Sequence, residues 1–371
     1  MSGGEGRPWY SRSERIREVL RAKLRRYMKS KRTLRKPYVE DLFERVMYIG
    51  PEDLVVVNWV RKSPLAAFNP GALIRGGKLL IFPRLIFGYY HYASAVGVAE
   101  IEVCSLLNRE VETPLPVRVV LYPTEPWEMA LGCEDPRVTL HEGLLYMLYV
   151  GVAHDPLKLW VRPVVGVSRH VALQAIAVLD GDLNVRSKDY FKIVLGDEVH
   201  VPRSWRDSAF ISIGKASSTI LARPTVDDVS ICWRAELDMS DYTIDVDTME
   251  PNLHNEEWEV KVGWSTNVVS ISQNEYLVGW HGVSSRDGVY REGLAVVNGE
   301  GDLVAITPHY ILAPRGLSEM YGDRPGVIFG DGLVLYKDLL LWVGGVSDHV
   351  IGVFSAEMDE VLEHMVWVQK R

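Results

Sequence analysis

The sequence predicts an all-β protein, five radially repeated sheets forming a five-bladed β-propeller, preceded by a basic helical arm. Three observations carry that reading. Beyond about residue 50 the chain is a series of short runs of Val, Ile, Leu and aromatic residues separated by Gly, Pro and Asp, which is strand and turn chemistry. A polar or glycine turn followed by an apolar strand recurs five times, with strands beginning at Lys78, Leu144, Thr219, Tyr276 and Leu339, spaced 66, 75, 57 and 63 residues apart. Each is followed by a second apolar strand, from Val96, Val171, Val229, Gly293 and Val350. All-strand repetition on this scale points to sheets arranged around an axis. Two packed sandwiches would also space apolar strands regularly; the content of the turns favours the propeller.

The arm comes first along the chain. Between Ser11 and Arg35, Ile16, Leu20, Leu24 and Tyr27/Met28 recur at helical spacing among Arg and Lys, which describes a basic amphipathic helix. A second short helical pattern, Val39, Leu42, Phe43 and Val46, follows Pro37. Residues 1–37 hold 13 Lys/Arg against 3 Asp/Glu, whereas the whole chain carries a net charge of −8, so arm and body have opposite sign. The expected division is a helical arm over 1–50, serving as an oligomerisation element, and a propeller over 51–371. The arm is expected to pack on the acidic body of a neighbouring subunit in a homo-oligomer; nucleic acid or an anionic membrane is the rival partner for so basic a segment.

Composition narrows the setting. A chain of 371 residues with 47% hydrophobic and 24% charged residues is globular rather than disordered. Its longest apolar runs, such as Leu339 to Val346, stop well short of the ~20 residues that span a bilayer, and no apolar stretch near the start suggests a signal peptide. Cys104, Cys133 and Cys232 form no C-x-x-C pair. A cytoplasmic protein without a disulfide framework is expected.

Motifs of several enzyme classes are missing: there is no H-E-x-x-H, G-x-S-x-G, P-loop or dinucleotide-binding glycine fingerprint. The pairs Asp180/Asp182 and Asp245/Asp247 read as turn chemistry, and the ten histidines lack i,i+3 or i,i+4 partners, so neither a metal nor an organic cofactor is expected. GCEDPR, Gly132 to Arg137, stands out instead. Pro136 is expected to hold Asp135 extended, in a turn aimed at the central channel. Matching places elsewhere hold Phe68-Asn69-Pro70-Gly71 and Arg84, Trp205-Arg206-Asp207, Arg223-Pro224, Lys261-Val262-Gly263, His281, Tyr290-Arg291 and Ser347-Asp348. If equivalent strand ends converge, Arg84, Arg206, Arg223, Lys261, His281 and Tyr290 surround Asp135 and Asp348, a cationic pocket suited to an oxyanion.

The ordered set FNPG, GCEDPR, R-D-x-x-F with an Arg-Pro 17 residues on, K-x-G, W-H-G-V, Y-R-x-G and S-D-x-x-I-G resembles glycoside hydrolase family 130 over roughly residues 60–360. The resemblance implies a five-bladed propeller acting on β-mannosides. It implies Asp135 as the general acid, protonating the glycosidic oxygen through the sugar's own 3-hydroxyl. Phosphate is implied at Arg206, Arg223, Lys261, His281 and Tyr290, and the sugar at Asn69, Arg84, Glu134 and Asp348. Ala209-Phe210-Ile211 and Asn267-Val268-Val269 depart from the family's pattern and leave acceptor specificity open. The resulting expectation is an inverting phosphorylase that converts a β-mannooligosaccharide and inorganic phosphate, its co-substrate, into α-mannose 1-phosphate and a shortened acceptor. A β-mannosidase-type hydrolase of the same fold, or a non-catalytic carbohydrate-binding scaffold, are the alternatives.

Overall fold

The recurring apolar runs fold as antiparallel units of four strands in this computed structural model, which describes residues 10–31, 33–155 and 170–368. The first unit comprises Ala66–Arg75, Lys78–Ile86, Ser94–Glu102 and Leu115–Leu121. The second comprises Gly132–His141, Leu144–His154, His170–Leu179 and Val185–Tyr190. Trp205–Ser212, Ser217–Val226, Cys232–Asp238 and Glu250–Leu253 form the third, and Glu259–Ser270, Glu275–Ser284, Tyr290–Asn298 and Leu303–Ile306 the fourth. In the fifth, Ile328–Tyr336, Leu339–Val346 and Val350–Glu357 are completed by Glu44–Ile49 from the other end of the chain, hydrogen-bonded to Val350–Glu357.

Two expectations are corrected here. FNPG, GCEDPR, W-R-D and K-V-G are not turns in front of the strands but parts of the opening strands themselves, so the runs from Lys78, Leu144, Thr219, Tyr276 and Leu339 are second strands. They look like turns because every opening strand carries a β-bulge, with register shifts at Phe68/Gly71, Glu134/Arg137, Arg206/Ala209, Trp264/Val268 and Gly330/Gly332. A bulge leaves residues unpaired, and in three of these five one of them is left-handed, a conformation that Asn and Asp tolerate. Asp135 is accordingly left-handed (φ 50°) rather than extended, as are Asn69 (45°) and Asp207 (58°). Second, the pattern at residues 39–46 is not helical: Val39 bridges to Tyr310 and a strand begins at Glu44. Pairing with an existing sheet edge outweighs weak helical periodicity in so short a segment.

Opening strands touch one another in succession. A Cβ on Gly332 of the fifth unit would lie 2.6 Å from that of Ala72 in the first, and one on Gly71 would lie 2.5 Å from Pro136 O in the second. Arg206 of the third unit pairs with Glu134 of the second at 2.8 Å. Asn267, one of the family departures, joins fourth to fifth by donating to Leu333 O and accepting from Leu333 N, both at 2.9 Å. Hydrophobic clusters fill the spaces between units and include the buried Trp205, Trp233, Trp264, Trp280 and Trp342.

The amphipathic helix, α1 (Glu14–Ser30), is capped by Ser13, whose side chain accepts from Ile16 N. Its apolar stripe does not await another subunit. Ile16 and Leu20 are fully buried against the chain's own body, beside Trp233 of the third unit and Phe191, Ile193 and Ile244 next to it. Arg17 and Arg21 both pair with Asp227, and Lys23 pairs with Glu250 at 3.1 Å. Residues 1–9 and Arg32, also assigned to the arm, lie outside the described residues. Among the described residues no helix is long and apolar enough to cross a membrane.

Candidate active site

The bulges turn polar side chains of the opening strands toward one another. Asp135 is 7% exposed, and its Oδ1 accepts from Asn69 Nδ2 at 2.9 Å and from Arg84 Nη1 at 3.1 Å. Arg84 also donates to Glu134 Oε1 (2.9 Å) and Ser94 Oγ (2.8 Å), with its guanidinium lying over Phe68 and Tyr92. Arg206 donates to Glu134 Oε2 at 2.8 Å and stands 3.9 Å from Asp135 Oδ2. Burial pushes the Asp135 carboxyl up, but Arg84, Arg206 and the Asn69 hydrogen bond outweigh it and hold the group below its ordinary value. Ser347 and Asp348 are both left-handed, in a turn, and the Asp348 carboxyl is pushed up to about 6, mainly by burial.

A second cluster adjoins the first through the adjacent residues Arg206 and Asp207. Arg206 and Arg223 are cross-strand partners in the third unit. Arg223 is anchored by Asp207 at 2.6 Å and leaves its Nε without a hydrogen-bond partner. Lys261 donates to Tyr290 Oη at 3.2 Å, and Arg324 does the same from the other side at 3.2 Å. His281 is fully buried, stacked on Tyr290 with 5.6 Å between ring centres, and burial together with Lys261 pushes it well below its usual value, so it is neutral. Gly263 makes this arrangement possible: a Cβ there would meet His281 Cε1 at 2.4 Å, Asp207 Oδ2 at 2.7 Å and Arg223 Nε at 2.8 Å.

Protonation determines what His281 offers. Its Nδ1 is 3.1 Å from Ser265 Oγ, which is 2.6 Å from Glu292 Oε2. Burial pushes Glu292 above the usual carboxylate range. Ser265 Oγ donates to Glu292 Oε2, and His281 Nε2, buried and unpartnered, faces the Asp207–Arg223 pair.

All ten residues singled out in the sequence, Asn69, Arg84, Glu134, Asp135, Arg206, Arg223, Lys261, His281, Tyr290 and Asp348, fall within these two connected clusters. Sequence reasoning missed the residues that hold them in place. Asp207 is fixed between Arg223 and Arg137; Arg137, 1% exposed in its side chain, reaches Asp331 at 2.8 Å, Ser265 O at 2.7 Å and Asp135 O at 3.1 Å. Asp331 is pushed well above the carboxylate range by burial. Asn69, Asp135, Asp207 and Asp331 all sit in opening-strand bulges, a signal available only once the opening strands are aligned as such. Arg324 carried a weaker one, the Arg-Pro-Gly turn of residues 324–326.

This geometry can be set beside known proteins. The family described as beta-1,4-mannooligosaccharide phosphorylase matches residues 33–366, which is most of the chain. The chain belongs to glycoside hydrolase family 130. A beta-1,2-mannobiose phosphorylase from Thermoanaerobacter sp. (strain X514) is 26% identical over 309 residues, covering 80% of this chain and 91% of that protein. The solved structure of a beta-1,2-mannobiose phosphorylase from Listeria innocua, in complex with beta-1,2-mannobiose, superimposes with a TM-score of 0.64 at 16% identity, covering 85% of this chain and 96% of that one. A mannose phosphorylase from Leishmania mexicana, in complex with phosphate ion, gives 0.53 at 14% identity, covering 95% and 97%. The mostly β architecture of this family 130 chain is shared with both structures.

Proposed function

We propose that this family 130 protein is an inverting mannoside phosphorylase, transferring a β-linked mannosyl group to phosphate, with its five units closed as a propeller around the site. The observation that carries the proposal is the second cluster: Arg223 Nε, a buried donor without a partner, beside the unpartnered His281 Nε2, flanked by Lys261 and Tyr290 and adjoining Arg206. An unpartnered buried donor among cations suits a small multivalent anion. An inverting hydrolase would need a carboxylate base at this place to deprotonate water. Asp207 is a poor base, because Arg223 and Arg137 overcome its burial and hold it far below the ordinary carboxylate range.

In the proposed reaction phosphate is held at Arg206, Arg223, Lys261, His281 and Tyr290 and attacks the anomeric carbon. Asp135 supplies the proton to the departing oxygen, and Asn69, Arg84, Glu134 and Asp348 hold the sugar. Asp135 starts as a carboxylate. A phosphate dianion arriving near Arg206 adds negative charge and competes for the guanidinium 3.9 Å from Asp135, which raises the carboxyl's affinity for the proton it must deliver. Nucleophile binding thereby loads the acid. Incubation with β-mannooligosaccharides should release mannose 1-phosphate only when phosphate is present. Release of free mannose at a rate indifferent to phosphate would make the protein a hydrolase, and no turnover on any β-mannoside would leave a sugar-binding scaffold.

A further inference from the structure

Far from these clusters in sequence, Glu40, His309 and His364 bring one carboxylate and two imidazoles together, with their ligand atoms all within 4.8 Å of one another. They come from three segments: the extended chain before the strand Glu44–Ile49, the loop after Leu303–Ile306, and the end of the helix Met358–Glu363. His309 Nε2 lies 3.3 Å from Glu40 Oε2, and His364 Nδ1 lies 4.0 Å from the same oxygen. Ligand atoms on a tetrahedral zinc with bonds of 2.0–2.2 Å are about 3.3 Å apart. The first distance already has that value, and the second closes by small rotations of Glu40 and His364, whose side chains are 52% and 24% exposed.

His309 supplies the observation that distinguishes this group from a surface ion pair. It is 4% exposed, its ring is stacked on Tyr38 at 4.7 Å, and its Nδ1 is 3.0 Å from Tyr38 Oη. That contact fixes the ring and leaves Nε2 as the free nitrogen, the division of labour usual for a metal-ligating histidine. Yet Nε2 is buried with no hydrogen-bond partner: the Glu40 oxygen at 3.3 Å does not meet hydrogen-bond geometry. A buried imidazole nitrogen and a carboxylate oxygen that converge without bonding to each other suit a third atom bonded to both. The backbone at Glu40 is pinned independently, since Glu40 N donates to Tyr310 O at 2.9 Å and Leu42 N to Ile311 O at 3.0 Å.

We infer that Glu40, His309 and His364 form a binding site for a zinc-class divalent cation, with water in the remaining position on the exposed side. Two imidazoles and one carboxylate are a zinc donor set. The ion ties the segment that completes the fifth unit to the loop after the fourth and to the chain's last helix, so its role is structural. Sequence spacing could not reveal it, because the two histidines are 55 residues apart and the carboxylate lies near the other end of the chain.

The test uses untagged full-length protein, dialysed against chelator and then titrated with zinc chloride. One zinc ion per chain should bind with a dissociation constant below about 10 μM, and at a hundredfold excess over that constant the melting temperature should rise by several degrees. Glu40→Gln and His364→Ala, both at partly exposed positions, should each weaken binding at least tenfold and suppress the rise, while melting as wild type without zinc. Absence of saturable binding, or unchanged affinity in the Glu40→Gln/His364→Ala double variant, would overturn the assignment.

Discussion

Asp135 and Asp348 both interact with Arg84, but their surroundings push their carboxyl groups in opposite directions. Asp135→Asn keeps the shape and removes the proton, so turnover should fall by about 10²–10⁴ while mannoside still protects the fold against heat. Near-normal turnover would remove Asp135 from the role of acid. Asp348 titrates near 6 when folded and near 3.9 when unfolded. Between those values the folded state binds more protons, so this group's contribution falls as pH rises from 4 to 6 and stays low above that. Asp348→Asn, neutral throughout, should therefore melt higher than wild type at pH 8 and equal it near pH 4, whatever it does to the proposed sugar contact. Arg223→Ala should raise the Michaelis constant for phosphate roughly 10- to 150-fold, the value of a charge-assisted bond of about 1.5–3 kcal/mol, and barely move that for mannoside. Parallel rises in both constants would mean that Arg223 supports the site as a whole.

At the scale of elements, the opening-strand bulge and helix α1 matter most. Gly263 belongs to the bulged opening strand of the fourth unit and leaves room for His281, Asp207 and Arg223 to meet. In Gly263→Ala the methyl group must displace buried side chains, at about 1–3 kcal/mol. Phosphate dependence should suffer more than mannoside binding, which steady-state kinetics would show. Helix α1 buries Ile16 and Leu20 on its own chain, worth about 1.5–3 kcal/mol each. Arg35, just beyond it, is 3% exposed, pairs with Glu259 at 2.6 Å and lies over the Trp280 ring at 4.6 Å. A chain starting at Lys36 should melt markedly lower without a change in the number of chains per particle in light scattering. Fewer chains per particle with an unchanged melting temperature would restore the arm to a role between subunits.

For the whole molecule, the two ends of the chain are tied into neighbouring units. Glu44–Ile49 completes the fifth sheet, and Val366–Trp367 pairs with the last strand of the fourth. A truncation beginning after Ile49 exposes the edge of the strand Val350–Glu357 and removes Phe43 and Ile49 from the core. It should aggregate, which size-exclusion chromatography would show. The proposed loading of the acid by its nucleophile would also be a property of the whole site. Between about pH 4 and 6, calorimetry in buffers of different ionisation enthalpy should show wild type taking up more protons on binding phosphate than Asp135→Asn does.

The all-β class, the five repeating units and the ten residues that come together in the two clusters are legible in the chain alone, because apolar strands and the ordered motifs are local features. The motifs are misplaced within the units: Asn69, Asp135 and Asp207 read as turn residues, since in these three bulges the residue takes the left-handed backbone that a turn also uses. Which charges are matched depends on the fold. Asp207 and Arg137 lie in motifs that stand out in the sequence, but their role as the buried partners of Arg223 and Asp331 shows only in the assembled strands. The fold also places Ile16 and Leu20 on the chain's own body, since periodicity defines an apolar face without naming what covers it. Burial and ion pairing depend on residues far apart in the chain, and the protonation of Asp135, Glu292, Asp331 and Asp348 is set by those neighbours rather than by the residue type.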